Sequence, residues 1–163
     1  MPSTPWINPE PGWLCLNVDG AVSLNTGKVS IGGLLRDLVG NFIFGFSKFI
    51  DCTNSLHAEL WSLLVDLQLA WAYGVNFLQV QTDCKKVLQL LQDPHVDSCS
   101  ISLVRSIRQL WRKAWFIDLT WTSRSSNKAA KLADHSSFDM SFLSNPPAEL
   151  HDTLTADNLA LSL

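Results

Sequence analysis

From Trp13 onward, apolar and polar residues exchange places with a period of two: Leu14, Leu16 and Val18 alternate with Cys15, Asn17 and Asp19, ahead of Gly20. That pattern predicts a strand and puts Asp19 on the same face as Asn17. Two further strand-like runs, 28–36 and 41–49, flank Asp37-Leu38-Val39-Gly40, which reads as a short turn and makes three consecutive antiparallel strands. Gly32 and Gly33 would weaken the second strand, so a bulge or a close backbone approach is the expected reason for them. The period then changes. Leu56, Leu60, Leu63, Leu64, Leu67 and Trp71 recur every three or four residues, which predicts a helix with Asn54 or Ser55 as N-cap and Gly74 at its end. A buried strand over 75–82, a short helix over 84–91 stopping before Asp93-Pro94, a helix over 98–114, a last strand over 115–122 and an Ala-rich helix over 127–135 complete the order. A strand returning after a crossover helix makes a parallel pairing with an earlier strand the expected arrangement, hence an α/β fold with a mixed sheet.

The ends of the chain behave differently. Pro2, Pro5, Pro9 and Pro11 around Trp6 exclude a helix interior, so residues 1–12 read as an irregular arm on a domain spanning 13–144. Residues 145–163, with Pro146-Pro147 and an amphipathic stretch over 150–161, read as a tail packing on that domain.

Composition narrows the class. At 163 residues with 47% hydrophobic and 17% charged side chains, the chain suits one globular domain and not a disordered or collagen-like one. No window approaches the roughly 20 apolar residues of a membrane span, and residues 1–11 carry no signal-like pattern, so an intracellular, unsecreted protein is expected. Cys15, Cys52, Cys84 and Cys99 form no C-x-x-C pair, and reduced thiols are the expectation. A net charge of −3 argues against binding polyanions by bulk electrostatics, so a nucleic-acid contact needs a local patch. Lys85, Lys86, Arg105, Arg108, Arg112 and Lys113 could supply a phosphate-contacting rim or a solvated helix face. His57, His95, His135 and His151 are too dispersed for a metal cluster, and Cys84 has no paired His for nucleophilic work.

Three carboxylates stand where patterning would place apolar side chains or nothing. Asp19 closes the first strand, Glu59 lies beside the apolar stripe of the main helix, and Asp83 follows the fourth strand. If they meet at one end of the sheet, their chemistry is that of a hard divalent cation, which takes oxygen ligands. Two such ions about 3.5–4 Å apart can clamp the attacking water and the leaving oxygen of a phosphodiester. Asp83 as an N-cap and Glu59 as a first-turn acid are the structural alternatives.

The residues Asn17-Val18-Asp19-Gly20-Ala21, Gly32-Gly33-Leu34-Leu35-Arg36-Asp37 through Gly40-Asn41, His57-Ala58-Glu59-Leu60-Trp61-Ser62-Leu63 and Gln81-Thr82-Asp83-Cys84 occur in order, with Pro146-Pro147-Ala148-Glu149-Leu150 near the end. This series resembles the plant ribonuclease H-like domain of retrotransposon (reverse-transcriptase) origin, from about Trp6 through the tail. The resemblance implies a ribonuclease H-like α/β fold: a five-stranded mixed sheet, three antiparallel strands then two parallel additions, flanked by helices. It implies two Mg²⁺ ions, with Mn²⁺ as a substitute, and hydrolysis of the RNA strand of an RNA–DNA hybrid by an expected monomer. By motif match Asp19, Glu59 and Asp83 are three of the family's four catalytic, metal-holding carboxylates. Hybrid contacts are expected from Gly20, Ala21, Gly32, Gly33, Arg124 and Asn127, including backbone contacts to the 2′-hydroxyl.

The sequence departs from the family pattern after Arg124 and Asn127. It continues Ala130-Lys131-Leu132-Ala133, one residue short, with Lys131 in the acidic position. Asp134 is the nearest carboxylate and the candidate fourth ligand, displaced by about 4.5 Å along a helix. Trp121 occupies a position where many family members carry His, and Trp cannot titrate. Three readings follow: a hybrid-cleaving nuclease, possible in impaired form; a catalytically degenerate, transposon-derived domain that binds nucleic acid; and a protein-interaction module using the Trp-rich arm and tail.

Overall fold

The computed structural model describes residues 6–22, 27–50, 54–93, 95, 102–124, 126–127, 141–143 and 154–155. The first three strands are β1 (Leu14–Val22), β2 (Val29–Arg36) and β3 (Phe42–Ile50). They pair antiparallel in sequence order, as the alternation predicts. The β2–β3 turn is built by Asp37, whose Oδ1 accepts the backbone N–H groups of Val39 and Asn41 at 3.0 and 2.8 Å. Gly40 takes φ 87°, a left-handed conformation that glycine adopts without steric cost.

Helix α1 (Ser55–Tyr73) starts where Asn54 Oδ1 accepts the N–H of His57 at 2.9 Å. It ends in a Schellman arrangement: left-handed Gly74 donates to Trp71 O and Val75 to Ala70 O, at 3.0 and 3.2 Å. That cap holds Val75, so β4 (Phe77–Thr82) begins two residues later than its apolar run predicts. Helices α2 (Lys85–Gln92) and α3 (Ser102–Trp111) follow, then β5 (Phe116–Trp121). β4 runs parallel to β1 on one side and to β5 on the other.

The sheet thus has the expected three antiparallel strands and two parallel additions, in the order β5-β4-β1-β2-β3. An unanticipated sixth strand, β6 (Ser141–Leu143), extends the far edge by pairing antiparallel with β3. Three residues are too short for a period-two signal to register. The helix expected over 127–135 lies, after Asn127, outside the described residues, as do Lys131, Asp134 and the tail apart from buried Leu154 and its neighbour Thr155.

The core lies between α1 and one face of the sheet, where Leu60, Leu63 and Leu67 meet Leu16, Val18, Leu35, Phe44, Leu78 and Val80. Val87 and Leu91 of α2 and Val104, Ile107 and Leu110 of α3 close its margin. Among the described residues no helix is long and apolar enough to cross a membrane.

Candidate metal centre at the carboxyl ends of β1 and β4

Parallel pairing sets Val18 of β1 beside Thr82 of β4, so the next residues, Asp19 and Asp83, emerge side by side at the same end of the sheet. Glu59 arrives from α1, and Gly20 lets it come close. A Cβ at Gly20 would collide with the Ala58 carbonyl and come within 2.7 Å of Glu59 N. Only glycine permits that crossing of helix over strand. Carboxylate oxygens of Asp19, Glu59 and Asp83 all lie within 4.8 Å of one another. Asp19 is 2% exposed, Glu59 8% and the Asp83 side chain 4%.

Three carboxylates so close and so buried repel each other. A like-charge pair at 4 Å costs about 4 kcal/mol at the effective dielectric of a protein surface. Positive charge must offset this. Arg124 contributes part, its Nε 3.9 Å from Asp83 Oδ2, but its side chain is 85% exposed and its field is screened. An all-oxygen, anionic donor set suits a hard divalent cation, and the three residues fit one on that chemistry. Burial pushes the adjacent Cys84 thiol up, and the charges of Glu59 and Asp83 push in the same direction against hydrogen bonds from the Val87 and Lys86 backbone. A thiol held neutral there is a packing group, not a nucleophile.

Behind Asp19 the sheet carries a buried polar network on the face away from α1. Asn17 Oδ1 accepts Arg36 Nη2 and Nε at 2.6 and 3.1 Å, and Asn17 Nδ2 donates to Gln81 Oε1 at 2.8 Å. Trp6 of the arm covers it, donating to Gln81 Oε1 at 3.0 Å and lying 3.9 Å from the Arg36 guanidinium. Asn127 donates to the Val18 carbonyl at 2.9 Å, tying the segment after β5 to β1 immediately before Asp19.

Three of the residues expected to contact nucleic acid are occupied within the fold. Asn127 is fully buried, its amide committed to Val18 and Asn17. Gly32 and Gly33 lie inside the sheet, paired on both sides, and the Gly32 carbonyl accepts Ser62 Oγ at 2.9 Å. A Cβ at Gly33 would strike the Asp66 carboxylate. What comes close to Gly33 is a side chain of α1. Arg124 does stand at the rim, and Gly20 and Ala21 follow Asp19 within β1. Arg36 and Gln81 of this layer, and Ser62 and Asp66 of α1, are buried polar residues that the sequence pattern does not mark.

Trp121, 45% exposed, closes the site on the β5 side. Its Nε1 donates to the Asp83 carbonyl at 3.3 Å, and Lys85 Nζ lies 4.7 Å from its ring centroid.

Residues 17–136 match a family model described as reverse transcriptase-like. A candidate ribonuclease H protein of Arabidopsis thaliana is 32% identical over 137 residues, covering 83% of this chain but only 22% of that protein. The chain therefore spans about a fifth of the length of this relative. Among solved structures, ribonuclease H1 from the halophilic archaeon Halobacterium salinarum superposes with a TM-score of 0.64 at 20% identity, over 74% of this chain and 93% of that one. The LC11 ribonuclease H1, isolated from compost and solved with an RNA/DNA hybrid, gives 0.65 at 19% identity, over 74% and 92%. The N-terminal ribonuclease H domain of a Mycobacterium tuberculosis protein gives 0.62 at 17% identity, over 88% and 96%.

Proposed function

From the premise that the chain belongs to the reverse transcriptase-like family and carries its ribonuclease H-like fold, we propose that it is a divalent-metal-dependent nuclease hydrolysing the RNA strand of RNA–DNA hybrids. The observation that carries this reading is the convergence of Asp19, Glu59 and Asp83 within 4.8 Å at the end of β1 and β4. These residues would hold Mg²⁺, with Mn²⁺ as a substitute, and Asp134 is the expected fourth ligand. Such ions supply Lewis acidity to a phosphodiester and neutralise the charge that builds on its oxygens. The overall reaction adds water across one P–O bond and leaves a phosphate monoester and a hydroxyl.

The protein's own part is orientation. Gly20 lets Glu59 approach, the β1–β4 pairing aligns Asp19 with Asp83, and Asn127 fixes the backbone at Val18. Arg124, exposed beside Asp83, is suited to a backbone phosphate, and the backbone at Gly20-Ala21 to the 2′-hydroxyl that distinguishes RNA. A degenerate domain that binds without cutting is the second reading, favoured by Lys131 in the acidic position and by Trp121, which cannot carry a proton at the rim.

The test is cleavage of an end-labelled RNA–DNA hybrid with Mg²⁺ or Mn²⁺, beside a duplex-DNA control. Removing one metal-ligand charge in Asp19→Asn is expected to lower the rate by roughly a hundredfold or more, as loss of a ligand's electrostatic stabilisation does, and Asp134→Ala to lower it less. Folded wild-type protein that cuts with neither metal sinks the nuclease reading in favour of the second.

A further inference from the structure

Trp121 is the exposed aromatic side chain that stands beside the carboxylate cluster. Phe77 and Phe116 stack on each other with centroids 5.2 Å apart, Trp13 packs against Phe77 at 5.5 Å, and Trp71 meets Trp115 edge-on at 5.2 Å. Among the described residues the Trp121 ring meets no second aromatic ring. It is instead held by its N–H on the Asp83 carbonyl and faced by the Lys85 ammonium at 4.7 Å. Its register position beside Thr82 fixes it one residue from the carboxylate that ends β4. An indole anchored through its polar edge, with an ammonium over the ring, still leaves the residue 45% exposed, room for a ligand to lie against it.

Charge specifies what that is. The chain is net negative and the adjoining site holds three carboxylates, so an anionic ligand arriving here needs local cations. Lys85 and Arg124 supply two, both exposed and both beside Asp83. A flat π-surface with an ammonium at its face matches a single nucleotide, which offers a planar base or a sugar face with a phosphate one linkage away. We propose that Trp121 and Lys85 form a contact for one nucleotide of the bound strand, the indole taking the base or sugar face and the ammonium the phosphate. This rests on the nucleic-acid reading above but not on cleavage. Trp121 then positions the strand and takes no part in proton transfer.

The test is binding of a dye-labelled RNA–DNA hybrid, by anisotropy and without added divalent metal, so that nothing is cut. It uses the wild type, Trp121→Ala, Trp121→Phe and Lys85→Gln, with a fully paired hybrid and one bearing an unpaired RNA overhang. Trp121→Ala is expected to raise Kd roughly tenfold, the scale of one lost stacking contact, while Trp121→Phe stays within about threefold because an aromatic face remains. Lys85→Gln is expected to reduce the slope of log K against log salt by about one, the signature of a single phosphate contact. A Trp121→Ala effect confined to the overhang identifies an unpaired base as the ligand; an equal effect on both identifies a sugar of the paired strand. A Lys85 that only covers the indole would leave the salt slope at its wild-type value. If Trp121→Ala does not fold, the Lys85→Gln slope and the Trp121→Phe affinity decide. Unchanged Kd and slope on both ligands, or a wild type that binds neither, overturns the contact. Loss of binding in Trp121→Ala by a protein that never cuts removes the nuclease reading and leaves this contact standing; cleavage with binding unchanged in the variants does the reverse.

Discussion

The two faces of the sheet are both buried, by opposite means. On the α1 side, Leu16, Val18, Leu35, Phe44, Leu78 and Val80 meet leucines of the helix, and stabilisation scales with the area and volume removed from water. On the other side Asn17, Arg36 and Gln81 are closed in by Trp6 and Asn127, and each polar atom must find a directed partner. An apolar face tolerates a shift of a few tenths of an ångström, whereas a face organised around a guanidinium and an amide does not. The candidate site lies where the faces join: Asp19 stands on the polar side with Asn17, and Glu59 comes from the helix on the apolar side. The carboxylate cluster is thus aimed by a hydrogen-bonded layer and closed by a packed one.

The comparison is broken most forcefully by truncating one residue on each face. Leu63→Ala, at a fully buried α1 position, is expected to cost about 2–5 kcal/mol through lost transfer energy and the cavity left behind. Asn17→Ala is expected to cost about 2–4 kcal/mol, since Arg36 loses the acceptor of two charged N–H bonds. The faces separate in a double-mutant cycle. Asn17→Ala with Arg36→Met should show a coupling of about 1–3 kcal/mol, whereas Asn17→Ala with Leu63→Ala, which have no shared partner, should be nearly additive. Urea midpoints at constant m-value, for the three single and two double variants, give these quantities, and an Asn17–Arg36 coupling near zero would mean that the polar face is held by shape alone.

A smaller effect is expected where the apolar face carries a polar residue of its own. Asp66 of α1 is fully buried and its carboxylate occupies the space a side chain at Gly33 would need, with Ser62 Oγ 3.4 Å from Asp66 Oδ2. Gly33→Ala is therefore expected to destabilise by about 1–3 kcal/mol through overpacking. In an Asp66→Ala background the same substitution should cost at least about 1 kcal/mol less, because the colliding group is gone. An equal cost in both backgrounds would show that the obstacle is strand geometry and not the carboxylate.

How far these features were legible in the sequence depends on whether their cause is local. Helix α1 could be read nearly to the residue because Asn54, the leucine period and Gly74 are all local determinants. Asp19, Glu59 and Asp83 were legible because charge in an apolar pattern is an anomaly that needs no partner to be seen. Arg36 was not. It ends a strand next to Asp37 and looks like a rim charge, and its burial depends on Trp6, far away along the chain. The same holds for Asn127, whose side chain reaches a carbonyl 109 residues away. The pair Gly32-Gly33 signals a bulge or a close backbone approach, but what lies against Gly33 is the Asp66 carboxylate, a contact made only when α1 crosses the sheet.

The smallest effect isolates one atom on the polar face. Burial pushes the Cys15 thiol from 9.0 to about 12, against the opposing pull of the Arg36 charge and a hydrogen bond with Trp6. Desolvation is the larger influence, so even beside a guanidinium this face behaves as protein interior. In the unfolded chain the thiol ionises from about pH 9; in the folded protein it stays protonated until about 12. Between these values the unfolded state binds fewer protons, so stability is intact below pH 9 and falls as pH rises toward 12. At pH 10 the wild type should lose about 1 kcal/mol relative to its own value at pH 8, a loss absent from Cys15→Ala, whose remaining titrations are shared with the wild type. Urea melts of the two proteins at pH 8, 9 and 10 measure it. Parallel curves would mean that the thiol senses the guanidinium as strongly as it senses burial, and that the polar face is wetter than its hydrogen bonds imply.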